Sequence, residues 1–269
     1  MFDSPDSPEA LLDSLERFLH LWHGPPRAWY GIAGEKLAGA RLPEPLRRLY
    51  AFAGEWPGDN FWRSAFAYQD RLLPFELLAL HAGKLEFLHE NQGVWVCGTE
   101  TEGRDPPVWV RTDGPWDPLG TSVAPLLVTA CLQETLFGSK HKAHGERVSD
   151  RLRASGRHVS PLWLGGPYVG PDGERPLVHR SFHVADGRVL VMNDRWCGTD
   201  SDEIRTELSD LFGPAARPLL EPGQSPRDFP AMPLSLRKNL LLQAARDHDE
   251  QAKHHAGKAH VYRRLADDL

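Results

Sequence analysis

One stretch constrains the fold more than any other. It is Phe87-Leu-His-Glu-Asn-Gln-Gly-Val-Trp-Val-Cys-Gly98, followed by Asp105-Pro-Pro-Val-Trp-Val110. The polar, flexible residues Glu90 to Gly93 separate two apolar runs, and Asn and Gly are the residues a tight turn needs. Pro106 and Pro107 stiffen the approach to a third run. Apolar runs rich in Val and Trp, punctuated this closely by turn residues, predict a small antiparallel sheet. Trp95, Trp109 and Trp116 sit on or just after those strands. Nothing in the stretch is arranged for catalysis, which points toward a recognition fold.

The flanking segments supply helices. Over residues 8–23, Leu11, Leu12, Leu15, Phe18, Leu19 and Trp22 recur at helical spacing on one apolar face. Ser7 suits the N-cap and Pro8 the first helical position. Gly24-Pro25-Pro26 ends this helix. A second helix is expected over 42–54, with both prolines in its first turn. Leu46, Leu49, Tyr50 and Ala53 line its buried side, and Gly54 is expected to close it in a left-handed conformation. Residues 55–75 are aromatic and irregular, and 74–82 read as a short helix or turn. Strands are expected at about 85–90, 93–98 and 107–112. A helix then runs from Ser122 to Phe137, with Pro125 in its first turn and Gly138 stopping it.

The second half reads differently. Residues 139–158 carry Lys140, Lys142, Arg147, Arg151, Arg153 and Arg157, opposed only by Glu146 and Asp150. They show no apolar periodicity and read as a solvated basic linker or an exposed helix. Chain order restarts at Pro161-Leu-Trp-Leu-Gly-Gly-Pro167. Residues 177–184 and 188–193 form a hairpin around Ala185-Asp-Gly187. A helix at about 202–212, a Pro-rich stretch from Pro214 to Pro233 and a final helix over 234–264 follow. Both halves place strands before a helix, which hints at duplication, but no residue-level repeat is visible. The pattern predicts an α+β fold: a twisted, mainly antiparallel sheet flanked by helices, with a C-terminal extension holding a β-hairpin and helices. The domains read as 1–138, a basic linker at 139–158 and 159–269.

Composition narrows the function classes. The 269 residues suffice for a proper core, and 41% apolar with 25% charged is ordinary for a globular chain. Cys97, Cys131 and Cys197 are far apart, with no CxxC pair, so a thiolate metal or redox site is disfavoured and a reducing compartment favoured. The N-terminus is acidic and Pro-rich, unlike a signal peptide. No segment approaches the roughly 20 apolar residues of a membrane span. A soluble, cytoplasmic protein is expected. Residues 1–138 hold 11 Lys+Arg against 19 Asp+Glu, whereas 139–269 hold 20 against 18. An acidic first half repels nucleic-acid phosphates and would steer a basic partner inward.

Candidate sites follow from residue type. Glu55, Trp56, Asp59 and Trp62 form an acidic aromatic loop suited to a cationic partner. Glu90, Asn91 and Gln92 are either a recognition patch or turn residues that satisfy backbone groups. Trp95 and Trp109 lie among apolar strand neighbours and read as core. Trp116, between Pro115 and Asp117, is the best candidate for an exposed aromatic. Partner-binding residues are therefore expected at Glu55, Trp56, Asp59, Trp62, Glu90 and Trp116. His141-x-x-His144 and the late cluster of His248, His254, His255 and His260 lack the fixed spacing of a metal site. There is no GxSxG, P-loop or GxGxxG, and Gly165-Gly166-Pro-Tyr-Val-Gly170 lacks the Lys-Ser/Thr of a phosphate cradle. No catalytic residue, metal or cofactor is implied.

These pieces resemble the SUKH superfamily, a group best known from bacterial immunity proteins. Leu42-Pro43-Glu44-Pro45-Leu46 leading into Leu49-Tyr50-Ala51-Phe52 looks like its early helix. Phe87 to Gly98, with Glu90-Asn91-Gln92-Gly93 and Trp95, looks like its strand-turn-strand. Asp105-Pro106-Pro107-Val108-Trp109 and the helix at 122–137 follow in the family's order. The resemblance covers about residues 8–138. Ala53-Gly54 stands where the family often has Asn-Gly, and 139–269 extends beyond a single such domain. The resemblance implies a twisted antiparallel sheet flanked by helices. It also implies a protein-binding module that neutralises a toxin, often a nuclease, by covering its active surface. Two other readings stand beside it. One is a hydrolase or metal-dependent enzyme using His and Asp residues of the second half. The other is an assembly protein whose second half docks a permanent subunit.

Overall fold

The computed structural model describes residues 7–24, 30–54, 66, 68–170 and 177–212. All of these lie in the first of two compact units, Met1–Ala215. The Pro-rich stretch from Pro214 and the helix expected over 234–264 lie outside the described residues.

Helix α1 spans Pro8–His23. Ser7 is extended, and its Oγ accepts the Ala10 N–H at 3.2 Å, relieving one of the unpaired donors of the first turn. The predicted stripe of Leu11, Leu12, Leu15, Phe18 and Leu19 is buried. A short helix, α2, covers Gly34–Ala38, and α3 covers Glu44–Ala53. Gly54 departs from the sequence reading. Its φ of −62° is right-handed. Its lack of a side chain serves packing instead: a Cβ there would stand 2.6 Å from Ile32 Cδ1.

The first sheet is antiparallel. Its strands are β1 (Asp70–Leu72), β2 (Ala79–His81), β3 (Lys84–Glu90), β4 (Val96–Thr99), β5 (Pro107–Arg111) and β6 (Asp117–Ser122). The order is β1-β3-β4-β5-β6, with β2 also pairing with β3. Leu85, Phe87, Leu88, Cys97, Val108 and Val110 face a core shared with α1 and α3.

Helix α4, Val123–Gly138, has almost every side chain buried. A helix apolar all round belongs inside a protein, touching structure on every side. Here α4 packs on α1, α3 and β6, and also on the second sheet. That sheet runs β7-β11-β10-β9-β8, formed by β7 (His141–His144), β8 (Val159–Val169), β9 (Leu177–Ala185), β10 (Val189–Met192) and β11 (Trp196–Thr199). A separate cluster of Val148, Leu152, Val159, Ala185, Val189, Val191, Cys197, Ile204 and Leu208 covers its other face. The helical residues in that cluster come from α5 (Val148–Ala154) and α6 (Asp202–Glu207), and Leu208 links α6 to α7 (Ser209–Phe212). Seven α-helices and two antiparallel sheets among the described residues make the fold α+β, as the sequence predicts.

The hairpin at β9–β10 turns through Asp186 and Gly187, both left-handed at φ 48° and 68°, which matches the predicted turn chemistry. Residues 139–158 hold β7 and α5, where the sequence suggests a solvated linker or exposed helix. Three of their apolar residues, Ala143, Val148 and Leu152, are turned inward, while Ala154 is exposed. The Gly-rich stretch up to Val169 is part of β8, whose pairing with β9 slips twice between Pro161 and Gly166. A short tripeptide also recurs. Cys97-Gly98-Thr99 on β4 and Cys197-Gly198-Thr199 on β11 both bury the Cys and the Thr. The two Thr hydroxyls donate to the carbonyls of Pro107 and Arg188 at 2.9 and 2.7 Å.

Candidate functional site

Alternation along β3, β4 and β5 sends every second side chain away from the core. Register places Glu86 opposite Gly98 and Gly98 opposite Trp109, in one row across three strands. A neighbouring row holds Arg71, His89, Val96 and Arg111. Gly98 is buried and the other outward residues are half-buried.

Gly98 is the one position in its row without a side chain, and Trp116 fills the space. The chain leaving β5 folds back so that the Trp116 indole lies over β4 and its Nε1 donates to the His81 carbonyl on β2 at 2.9 Å. The Arg111 guanidinium lies 5.0 Å from the Trp116 ring centre. It also donates to Glu86 Oε1 at 2.6 Å and meets His81 Nε2 at 2.8 Å. Lys84 Nζ lies 4.0 Å from the Trp109 ring centre and donates to Glu100 at 2.6 Å. Each cation is thus held by a ring on one side and a carboxylate on the other, so both indoles are fixed in place. Glu86 also lies 3.3 Å from His89, whose pKa is held below the ordinary imidazole value by burial.

Glu90 closes the 91–94 turn. Its Oε2 accepts the N–H groups of Gln92 and Val94 at 2.7 and 3.1 Å. The turn is satisfied by the Glu90 carboxylate, rather than by the Asn91 or Gln92 side chains. Trp116, expected as an exposed aromatic, is half-buried and pinned over Gly98. Trp95 is core, 5% exposed and edge-to-face with Tyr168 at 6.0 Å. Trp109, read as core, stands half-buried on the outer face. Glu55, Trp56, Asp59 and Trp62 lie outside the described residues, as do His248, His254, His255 and His260. Sequence reasoning missed Lys84, Glu86 and Arg111. The available signal was the alternation Val108-Trp109-Val110-Arg111, which puts Trp109 and Arg111 on one face.

Other chemistry is sparse among the described residues. No group of three His, Cys, Asp or Glu is placed to hold a metal there. His141 is bound to Asp202 at 2.6 Å, and the His144 ring packs on Trp196 at 4.3 Å. Burial pushes the thiols of Cys97, Cys131 and Cys197 up, which keeps them protonated. A surface cavity of about 480 Å³ is lined by Arg41, Glu44, Arg47, Glu102 and Arg104. Two of its arginines are already engaged. Arg47 donates to the carbonyls of Leu37, Ala40 and Leu42, and Arg104 makes a two-pronged pair with Glu9. No helix among the described residues is long and apolar enough to cross a membrane.

Comparison with family models, curated proteins and solved structures finds no match.

Proposed function

We propose that this chain is a non-catalytic protein-binding module that neutralises a toxin by covering its active surface. The class of partner comes from the SUKH resemblance of residues 8–138. The observation that carries a binding role is the outer face of the first sheet. Trp109 and Trp116 stand there, half-buried and clamped by Lys84 and Arg111. Trp and Arg are the residues most enriched among interface hot spots. Rings already fixed in the free protein lose little side-chain entropy on binding, so more of their contact energy survives as affinity. The acidic residues Glu55 and Asp59 would add long-range steering toward a basic toxin domain, and no cofactor enters.

The test uses the full chain and the toxin domain encoded beside it. The chain should bind that domain and suppress its activity. Trp109→Ala should weaken both effects without unfolding the chain. Absence of binding to any neighbour-encoded protein would remove the reading. Binding unaffected by Trp109→Ala and Trp116→Ala together would move the interface to another face.

A further inference from the structure

Two carboxylates lie buried where α4 meets β1, away from the outer sheet face. Glu134, on α4, is 0% exposed and Asp70, on β1, is 6% exposed. Glu134 Oε2 accepts the backbone N–H groups of Tyr68 and Gln69 at 2.5 and 2.6 Å, and its Oε1 accepts that of Asp70 at 3.0 Å. Asp70 Oδ2 accepts the Tyr168 hydroxyl at 2.5 Å. Gln133 Nε2 reaches both acids, at 3.0 Å to Asp70 and 3.4 Å to Glu134. The two acids are therefore one hydrogen bond apart, through the Asp70 N–H.

No Lys, Arg or His ion pair is made by either acid among the described residues. Arg180 on β9 acts on both acids by its charge, but it is stacked on the Tyr168 ring at 4.4 Å with its Nη1 toward Met192. The other ionisable groups facing the pair are Tyr168 on β8, Cys97 on β4, Glu90 on β3 and Cys131 on α4 itself. None of these supplies a positive charge. Two buried negative charges this close repel strongly, and burial penalises each. Yet every side-chain and backbone hydrogen bond to the pair comes from a donor. A proton added to Glu134 removes the charge that strengthens its bonds to the N–H groups at 68–70. The ionised state is electrostatically costly, and the neutral state weakens the contact that holds the start of β1.

We infer that Asp70 and Glu134 are a coupled carboxylate pair acting as a proton-operated latch, fastening the start of β1 to α4 when Glu134 is ionised and loosening it when protonated. This inference stands apart from the binding reading and concerns the chain alone. It follows that the two acids do not titrate independently, and that the backbone at 68–70 responds to the charge on Glu134.

The test is a residue-specific titration of the uniformly labelled full chain by NMR, following side-chain carboxyl carbons and backbone amides. The Glu134 carboxyl, assigned by its loss in Glu134→Gln, should titrate near pH 7, where burial beside Asp70 pushes it. The amide signals of Tyr68, Gln69 and Asp70 should move with the same midpoint. Asp70→Asn removes the neighbouring charge and should shift the Glu134 midpoint downward. If that variant does not fold, Tyr168→Phe serves instead. Losing its hydroxyl makes Asp70 easier to protonate, and that too should move the Glu134 midpoint down. A Glu134 carboxyl titrating in the ordinary range near about pH 4 overturns the latch. So does a midpoint unmoved by either variant, or amides at 68–70 that ignore the titration.

Discussion

Gly98 lies directly beneath the indole of Trp116: a Cβ at residue 98 would stand 2.8 Å from the ring's Cη2 and 2.9 Å from Lys84 Cβ. The glycine is what allows a ring from beyond β5 to reach back across β4 to the His81 carbonyl. Gly98→Ala should therefore lift Trp116 and cost roughly 1–3 kcal/mol, the range for overpacking a filled site. Denaturant unfolding of Gly98→Ala, Trp116→Ala and the double variant measures this. The double variant should lose less than the sum of the singles, because the clash with the ring vanishes and only the Lys84 contact remains. Simple additivity would show that the two residues do not depend on each other.

Trp95 and Trp109 should respond differently to truncation. Trp95 is enclosed and meets Tyr168 edge-to-face, so Trp95→Ala should destabilise by roughly 3–5 kcal/mol. Trp109 is half-buried on the outer face beneath Lys84, so Trp109→Ala should cost less than half as much. Equal losses in thermal or chemical unfolding would mean that the outer face is part of the core, and would count against its use as an interface.

What the sequence revealed, and what it hid, follows from periodicity. Helix α1 was legible because Leu11, Leu15, Phe18 and Leu19 repeat at helical spacing and Ser7 caps them. The β3–β4 segment was legible because Gly93 and its neighbours break two apolar runs. Strand β6 was not, because Pro118 and Gly120 in Asp117-Pro-Leu-Gly-Thr-Ser122 look like a turn. An edge strand tolerates both, since it has a free side. Strand β7 was hidden by its charges, since Ala143 alone of its four residues is buried. The outer face was half-legible. Trp116 stood out as a loop aromatic, but Lys84 and Glu86 come from β3, some thirty residues earlier in sequence. Glu134 was invisible as a structural group, because its donors at 68–70 are backbone atoms with no sequence signature.

Glu134 also makes a prediction about stability and pH. Its folded pKa, near 7, lies above its ordinary value of 4.5. The native state therefore holds this proton more tightly than the unfolded chain does. Stability from this group is present below about pH 4.5 and is lost as pH rises toward 7, because burying the charge beside Asp70 costs more than the stronger hydrogen bonds at 68–70 return. His89 and His183 oppose the trend, since burial lowers both and their contribution falls as pH drops below the ordinary 6.5. Comparing wild type with Glu134→Gln removes the histidine effect. Wild type should lose stability relative to the variant by on the order of 1–3 kcal/mol between about pH 5 and about pH 8. Urea unfolding of both proteins at each pH reads the difference. A constant difference would mean that Glu134 stays ionised across the range.

The last prediction separates anchoring from steering in partner binding. Residues 1–138 carry a net excess of acid, including Glu55 and Asp59, whereas Trp109 and Trp116 are uncharged contact groups. Exposed charges act over about 8–10 Å at moderate salt, so they govern the encounter and little else. Changing Glu55 and Asp59 to Lys should slow association with the toxin domain proposed as the partner, more at low salt than at high salt. Dissociation should change little. Trp109→Ala or Trp116→Ala should instead speed dissociation by about tenfold or more, the loss of a hot spot worth roughly 2 kcal/mol, with association nearly unchanged. Stopped-flow binding at two salt concentrations resolves both rates. An on-rate indifferent to salt and to charge reversal removes the steering role and leaves the aromatic face as the interface. A dissociation rate unchanged by both Trp variants removes the face and leaves Glu55, Trp56, Asp59 and Trp62 as the remaining candidates.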